Sequence, residues 1–105
     1  MKYAVYMTDN FRKEMNKISS VEQKKIQNIF IQLKENPYAG NQLQIKILRE
    51  KRLEEKRIYY LVFEHLNSVL MVAMSNKRTQ QKTINYILGS LEDYRIYLEK
   101  ILSKD

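Results

Sequence analysis

The feature that most constrains the fold is an apolar run in the middle of the chain, which reads I-Y-Y-L-V-F from Ile58 to Phe63. It predicts a strand over Arg57 to Glu64. Successive side chains of a strand point to opposite faces of the sheet, and here both sets are apolar. A strand of this kind has both faces covered, so the sheet needs a packed layer on each side.

Three more strands are predicted around this one. They cover Lys2 to Met7, Ile45 to Leu53 and Val69 to Met74. Asn67-Ser68 separates the last strand from the central one and favours a tight turn. The two strands that it joins therefore form an antiparallel hairpin.

Two short helices are predicted between the first and second strands. Thr8-Asp9-Asn10 supplies an N-cap for a helix that runs to about Lys17, and Ser19-Ser20 supplies a cap for a second one. Asn36-Pro37 ends the second helix, because the residue before proline disfavours the helical region. The buried face of the second helix is predicted to carry Val21, Ile26, Ile29, Phe30 and Leu33.

A long C-terminal helix is predicted over about 79–103. Its apolar stripe consists of Ile84, Ile87, Leu88, Leu91, Leu98, Ile101 and Leu102. Gly89 weakens this helix by about 1 kcal/mol relative to alanine. The whole order is β-α-α-β-β-β-α, an α+β domain with a mainly antiparallel sheet packed by an N-terminal helical hairpin. The last helix either covers the second face of the sheet within the chain or packs on a partner, for instance as a homodimer.

Composition narrows the function classes. The 105 residues fit one domain, 1–105, and include 2 glycines and 1 proline. The absence of cysteine and the single histidine, His65, exclude thiolate chemistry and argue against a zinc site. No metal or cofactor is therefore expected. Met1 to Thr8 lacks the apolar stretch of a secretory signal, and no apolar run is long enough to cross a membrane, so we expect a cytoplasmic protein.

The net charge of +7 and the sequence pI near 9.6 favour an anionic partner. Nucleic acid, an acidic protein and a membrane surface all satisfy this condition. Net charge alone does not distinguish among these three kinds of partner.

Arg57 and Arg78 are the strongest candidates for a phosphate site. Each lies ten positions from the predicted turn, so a regular ladder would place them opposite each other. Two adjacent guanidinium groups repel unless an anion lies between them, and arginine binds phosphate well. The alternative is that one of Glu50, Glu54 and Glu55 neutralises them.

Further candidates lie around these arginines. Lys46, Arg49, Lys51 and Arg52 either add positive charge to the same surface or protect an edge strand. Tyr59 and Tyr86 are candidates for stacking on a base. His65 is expected at the far end of the ladder from Arg57, where an ordinary surface role is more common.

In the order of its motifs the chain resembles the RelE/ParE toxin superfamily of type II toxin–antitoxin modules, and in particular archaeal RelE-like toxins. The resemblance covers nearly the whole chain. Its motifs are F-R-K-E-M-N-K-I, L-K-E-N-P-Y-A-G, L-R-E-K-R-L, K-R-I-Y-Y-L-V-F and V-L-M-V-A-M-S-N-K-R-T-Q-Q-K.

The resemblance implies a toxin that cleaves mRNA in the ribosomal A site without a metal, with the ribosome, mRNA and a cognate antitoxin as partners. It implies catalytic roles at the scissile phosphate for Arg57 and Arg78, with Lys77 beside the second. Ile84 stands where the family often has an acid/base group. The family's lysine pair on the second strand is not reproduced in clean register, and Lys46, Glu50 and Arg52 surround its place. The ParE branch implies an alternative, inhibition of DNA gyrase, and a non-toxic binding module is a third. A heterotetramer with the antitoxin is a further possibility.

Overall fold

The computed structural model describes residues 2–104 and contains one five-stranded sheet with two helices on each face. The strands are β1 (Ala4–Met7), β2 (Asn41–Leu43), β3 (Ile45–Leu53), β4 (Lys56–Phe63) and β5 (Ser68–Ser75). The helices are α1 (Asp9–Lys17), α2 (Ser20–Glu35), α3 (Gln80–Gly89) and α4 (Leu91–Leu102). The sheet order is β1-β5-β4-β3-β2, with β1 parallel to β5 and the other pairs antiparallel. The predicted α+β class and mainly antiparallel sheet are confirmed.

The central strand β4 separates two hydrophobic clusters. The first cluster packs α1 and α2 on one face and contains Phe11, Met15, Ile26, Ile29, Leu33, Ile58, Tyr60, Val62, Val69 and Met71. The second cluster packs α3 and α4 on the other face and contains Leu48, Tyr59, Leu61, Phe63, Leu70, Val72, Ile84, Ile87 and Leu98. Both faces of β4 are therefore covered within the chain, as its apolar pattern requires.

The N-terminal helices begin and end where their capping residues indicate. The hydroxyl groups of Thr8 and Ser19 accept hydrogen bonds from the amides of Phe11 and Glu22, each at 3.1 Å. The prediction that Val21 faces the core is wrong, since its side chain is 64% exposed. Val21 lies five residues before Ile26, so their side chains are about 140° apart around the helix axis. The two residues therefore lie on different faces of α2.

The C-terminal segment contains two helices where one was predicted. The first helix, α3, ends at Gly89, and Ser90 separates it from α4 with backbone angles φ −119° and ψ 13°. Glycine and serine are both weaker helix formers than alanine, so a break here costs little. The break lets both helices fold onto the same sheet face. Among residues 2–104, no helix has both the length and the apolarity needed to cross a bilayer.

The turn before β5 lies earlier than predicted. A single 3-10 turn spans Glu64–Leu66, and Asn67 follows it in the left-handed region with φ 47°. Phe63 pairs directly with Ser68, which is already part of β5. The hairpin therefore closes through four residues, 64–67, and its ladder is shifted relative to the one counted from Asn67-Ser68.

The two glycines lie in opposite steric environments, which gives a paired test of the fold. A Cβ at Gly40 would lie 2.7 Å from the carbonyl oxygen of Glu50 and 2.8 Å from the hydroxyl of Tyr60. A Cβ at Gly89 would meet nothing within 4 Å. Gly40→Ala is expected to lower the free energy of unfolding by about 1–3 kcal/mol through overpacking. Gly89→Ala is expected to raise it by about 0.5–1 kcal/mol through helix propensity.

Urea unfolding followed by circular dichroism measures both variants. Equal stability of the two variants would contradict the close packing of Gly40 against β3 and β4.

Candidate functional site

The register of the sheet decides which residues lie beside Arg57. Arg57 pairs with Ser75 on β5 and with Arg52 on β3. The predicted pairing with Arg78 is wrong, because Ser75 lies three positions before it. The earlier turn shifts the ladder, and a β-bulge between Tyr59 and Tyr60 then shifts it back by one residue. The arginine across the ladder from Arg57 is Arg52.

Arg57 is buried, although a charged residue at a strand end is usually exposed. Its side chain is 9% exposed, and its Nη1 lies 3.7 Å from Oε1 of Glu50, whose side chain is 5% exposed. In the described part of the chain, residues 2–104, the Nε of Arg57 has no hydrogen-bond partner. Of the three carboxylates proposed to neutralise Arg57, Glu50 forms the ion pair, whereas Glu54 pairs with Lys25 at 2.6 Å.

Glu50 also connects the sheet to α3. Its Oε2 accepts a hydrogen bond of 2.8 Å from Nε2 of Gln80, in the first turn of that helix. Glu50 lies opposite Tyr59, whose hydroxyl is 2.8 Å from Oγ of Ser75. Burial raises the pKa of Tyr59, and the Glu50 carboxylate adds to this shift, so the phenol stays protonated near neutral pH.

The turn between β5 and α3 presents Lys77 and Arg78 beside this buried group. It begins after Ser75, the ladder partner of Arg57, and ends at Gln80, the partner of Glu50. The side chain of Asn76 holds the turn by accepting bonds from the amide and hydroxyl of Thr79, at 3.1 and 3.2 Å. Lys77 and Arg78 are both exposed.

Four basic residues therefore lie at or beside this end of the sheet, and we call them the basic corner: Arg52, Arg57, Lys77 and Arg78. Within residues 2–104, only Arg57 of these four makes an ion pair. None of the four lines the nearby groove of about 310 Å³, whose lining is Glu14, Lys17, Ile18, Lys56, Met74, Ser75, Asn76 and Thr79. Exposed arginine and lysine side chains without an ion-pair partner can bind the oxygens of a phosphate.

The remaining basic candidates lie elsewhere on β3. The guanidinium of Arg49 stacks 4.8 Å from the ring centre of Tyr38 and donates to the carbonyl of Gly40 at 3.1 Å. Lys46 pairs with Glu64 at 3.7 Å, next to the same ring. Both residues thus lie toward the end of the sheet where His65 is found. Lys51 is paired with Ile58, so it lies on the α1–α2 face, opposite to that of Arg52.

The aromatic candidates differ in accessibility. Tyr59 is fully buried, so its ring presents no face to a base in this conformation. Tyr86 on α3 is 66% exposed and lines a second groove together with Tyr94. Ile84 is 5% exposed and belongs to the second cluster, where it packs as an ordinary core residue.

Two neighbours of Arg57 and Glu50, Ser75 and Gln80, were not predicted from the sequence. Neither residue carries a recognisable motif, and both are placed by the shifted ladder and the start of α3. Across residues 2–104 the structure brings no group of three or more histidine, aspartate or glutamate side chains together for a metal ion.

No family sequence model and no curated protein match the chain. The comparison with solved structures identifies its architecture. Its fold matches a free double arginine-to-alanine variant of the Escherichia coli toxin RelE, with a TM-score of 0.69, 16% identity, and 83% of this chain and 99% of that one covered.

Two complexes from other organisms give similar values. An archaeal RelE–RelB complex from Pyrococcus horikoshii matches with a TM-score of 0.66 and 15% identity, covering 73% of this chain and 97% of that one. The RelBE2 toxin–antitoxin complex from Mycobacterium tuberculosis matches with a TM-score of 0.64 and 17% identity, covering 73% and 93%. The resemblance inferred from the sequence is thus confirmed at the level of architecture: this chain has the fold of the RelE toxins.

Proposed function

We propose that this chain is the toxin of a toxin–antitoxin module and that it cleaves mRNA on the ribosome. The observation that carries the proposal is the basic corner, in which four cationic side chains lie at or beside one end of a RelE-fold sheet. Three of them form no ion pair within residues 2–104. The net charge of +7 favours the same class of ligand, a nucleic acid backbone.

The chemistry assigned to the corner is stabilisation of a phosphate during attack by the neighbouring 2′-hydroxyl, whose proton passes to solvent water while the bond from phosphorus to the 5′ oxygen breaks. This attack places extra negative charge on the phosphate oxygens, and preorganised cations stabilise that charge. Arg57 and Arg78 are assigned this role because arginine stays protonated at all physiological pH values. Lys77 is the second phosphate clamp or the proton donor to the leaving 5′ oxygen.

RNA binding extends from the corner along neighbouring surfaces. Arg52 adds charge at the corner itself, and Tyr86 has an exposed ring on which a base can stack. Lys46, Arg49 and Lys51 would contact more distant parts of a ribosomal complex, because they lie at the other end or on the other face of β3.

An antitoxin is the protein partner that we propose. The Escherichia coli, Pyrococcus and Mycobacterium neighbours include toxin–antitoxin complexes, and a basic surface attracts an acidic partner segment. Because Ile84, Ile87 and Leu98 are buried within the chain, the C-terminal helices do not need a second copy to cover them.

The function is tested on translating ribosomes. Purified protein is expected to produce cuts in ribosome-bound mRNA, mapped by primer extension, and a stoichiometric amount of the antitoxin encoded beside it is expected to abolish them. Free mRNA serves as the control substrate. Intact mRNA on ribosomes exposed to the protein would refute the nuclease assignment.

A second function is supported by two specific observations. Glu50 neutralises Arg57, and Ile84 offers no acid/base group, which suits an antitoxin-binding protein without nuclease activity. Such a protein would bind its antitoxin, leave ribosome-bound mRNA intact and be harmless when overproduced in cells.

A further inference from the structure

The Glu50–Arg57 pair differs from the other ion pairs in its burial. Both of its side chains are less than 10% exposed, whereas those of every other pair in residues 2–104 are 27% exposed or more. Removing two charges from water costs several kcal/mol per ion, which only close and complete hydrogen bonding recovers.

The geometry of this pair is incomplete. The separation of 3.7 Å is longer than a hydrogen bond, and the Nε of Arg57 has no partner within the described chain. The guanidinium therefore keeps donor capacity that Glu50 does not use. A phosphate, with more oxygens and more charge, would satisfy those donors better than one carboxylate does.

Glu50 is held in this position from α3. Gln80 donates to its Oε2 at 2.8 Å, and the turn that precedes Gln80 carries Lys77 and Arg78. The two oxygens of the carboxylate thus contact the buried arginine and the first residue of α3, which follows the segment with the exposed cations.

We propose that Glu50 acts as an internal anion that occupies the place of an RNA phosphate at Arg57 and thereby limits the affinity of the chain for RNA. This inference rests on the proposed assignment of Arg57 to the RNA backbone. The long aliphatic part of Arg57 lets its guanidinium move toward solvent, whereas the shorter Glu50 is confined to its strand. RNA binding then requires the arginine to exchange one anion for another.

The test compares Glu50→Gln with Glu55→Gln. Both substitutions remove one negative charge, but Glu55 is exposed in the β3–β4 turn and makes no ion pair in the described part of the chain. Binding of a fluorescein-labelled single-stranded RNA oligonucleotide is measured by anisotropy at fixed salt, without ribosomes. We expect Glu50→Gln to bind about tenfold more tightly than wild type. Glu55→Gln should gain about twofold or less, because it changes only the screened surface charge.

The increase in RNA affinity must depend on Arg57. The double variant Glu50→Gln with Arg57→Gln is expected to bind RNA no more tightly than wild type. An increase in affinity that persists in the double variant would overturn the proposal. Equal affinities of Glu50→Gln and Glu55→Gln would overturn it as well. If Glu50→Gln does not fold, Gln80→Ala provides the test, since it frees the carboxylate without removing charge. A gain of about threefold is then expected, and no gain would refute the inference.

A spectroscopic measurement reports on the arginine directly. In Glu50→Gln the Nε–H signal of Arg57 in a proton–nitrogen NMR spectrum is expected to shift on addition of the oligonucleotide at a concentration that leaves the wild-type signal unchanged. Absence of any shift in the variant would contradict the exchange of anions.

The outcomes separate this inference from the proposed function. If wild-type protein leaves mRNA on ribosomes intact while Glu50→Gln gains affinity through Arg57, the nuclease assignment fails and the inference holds. If wild type cuts mRNA but Glu50→Gln binds RNA no more tightly than Glu55→Gln, the nuclease assignment holds and the inference about Glu50 fails.

Discussion

On the proposed nuclease function, Arg78→Ala is expected to slow the cleavage of ribosome-bound mRNA by about 100-fold, the loss typical of removing one charge-stabilising group from an active site. The free energy of unfolding should change by less than about 0.5 kcal/mol, because the side chain is exposed and makes no ion pair in residues 2–104. Arg78 therefore tests the chemistry of the basic corner without disturbing the fold.

The matched control is Arg12→Ala. Arg12 is also an exposed arginine without an ion pair in the described residues, but it lies on α1 and outside the corner. Initial rates are taken from primer-extension products under single-turnover conditions, and stability is taken from urea unfolding. If Arg78→Ala and Arg12→Ala cleave mRNA at the same rate, Arg78 has no catalytic role.

Arg57→Gln is expected to lower the free energy of unfolding by about 3–5 kcal/mol, because it leaves the Glu50 carboxylate buried without a counter-charge. Domains of this size are stable by only about 5–15 kcal/mol, so this loss approaches the limit of folding. An activity defect in Arg57→Gln is therefore informative only when stability is measured in parallel.

The double variant Glu50→Gln with Arg57→Gln isolates the effect of the pair. It removes both charges and should recover most of the stability lost in Arg57→Gln, since two neutral amides can remain in the same space. Chemical unfolding of the four members of the mutant cycle gives the coupling energy between the two residues. Equal stability of Arg57→Gln and the double variant would show that the buried carboxylate is not the source of the loss.

Much of the fold was predictable because it depends on local patterns. The two-sided apolar run Ile58 to Phe63 predicted a strand covered on both faces, and two hydrophobic clusters cover it. The hydroxyl caps at Thr8 and Ser19 predicted where α1 and α2 begin. The short strand β2 was missed, because Asn41–Leu43 is too brief for alternation to be recognised.

The candidate site was less predictable because it depends on the pairing of distant residues. The count from Asn67-Ser68 assumed a regular two-residue hairpin, whereas the chain uses a four-residue turn and a bulge. Each of these changes shifts every later pair along the ladder. The count therefore predicted Arg78 as the partner of Arg57, whereas the observed partner is Ser75.

The sequence by itself determined the positions of four of the five strands and of α1 and α2, that both faces of the sheet must be covered, and that the chain carries a large positive charge. These properties follow from periodicity and composition, which are local. Only the tertiary structure decided that Arg52 faces Arg57, that Glu50 is buried as its counter-ion, and that Lys77 and Arg78 lie in the turn beside them. Strand register and the packing of α3 determine these neighbours, because they bring together residues that are far apart along the chain.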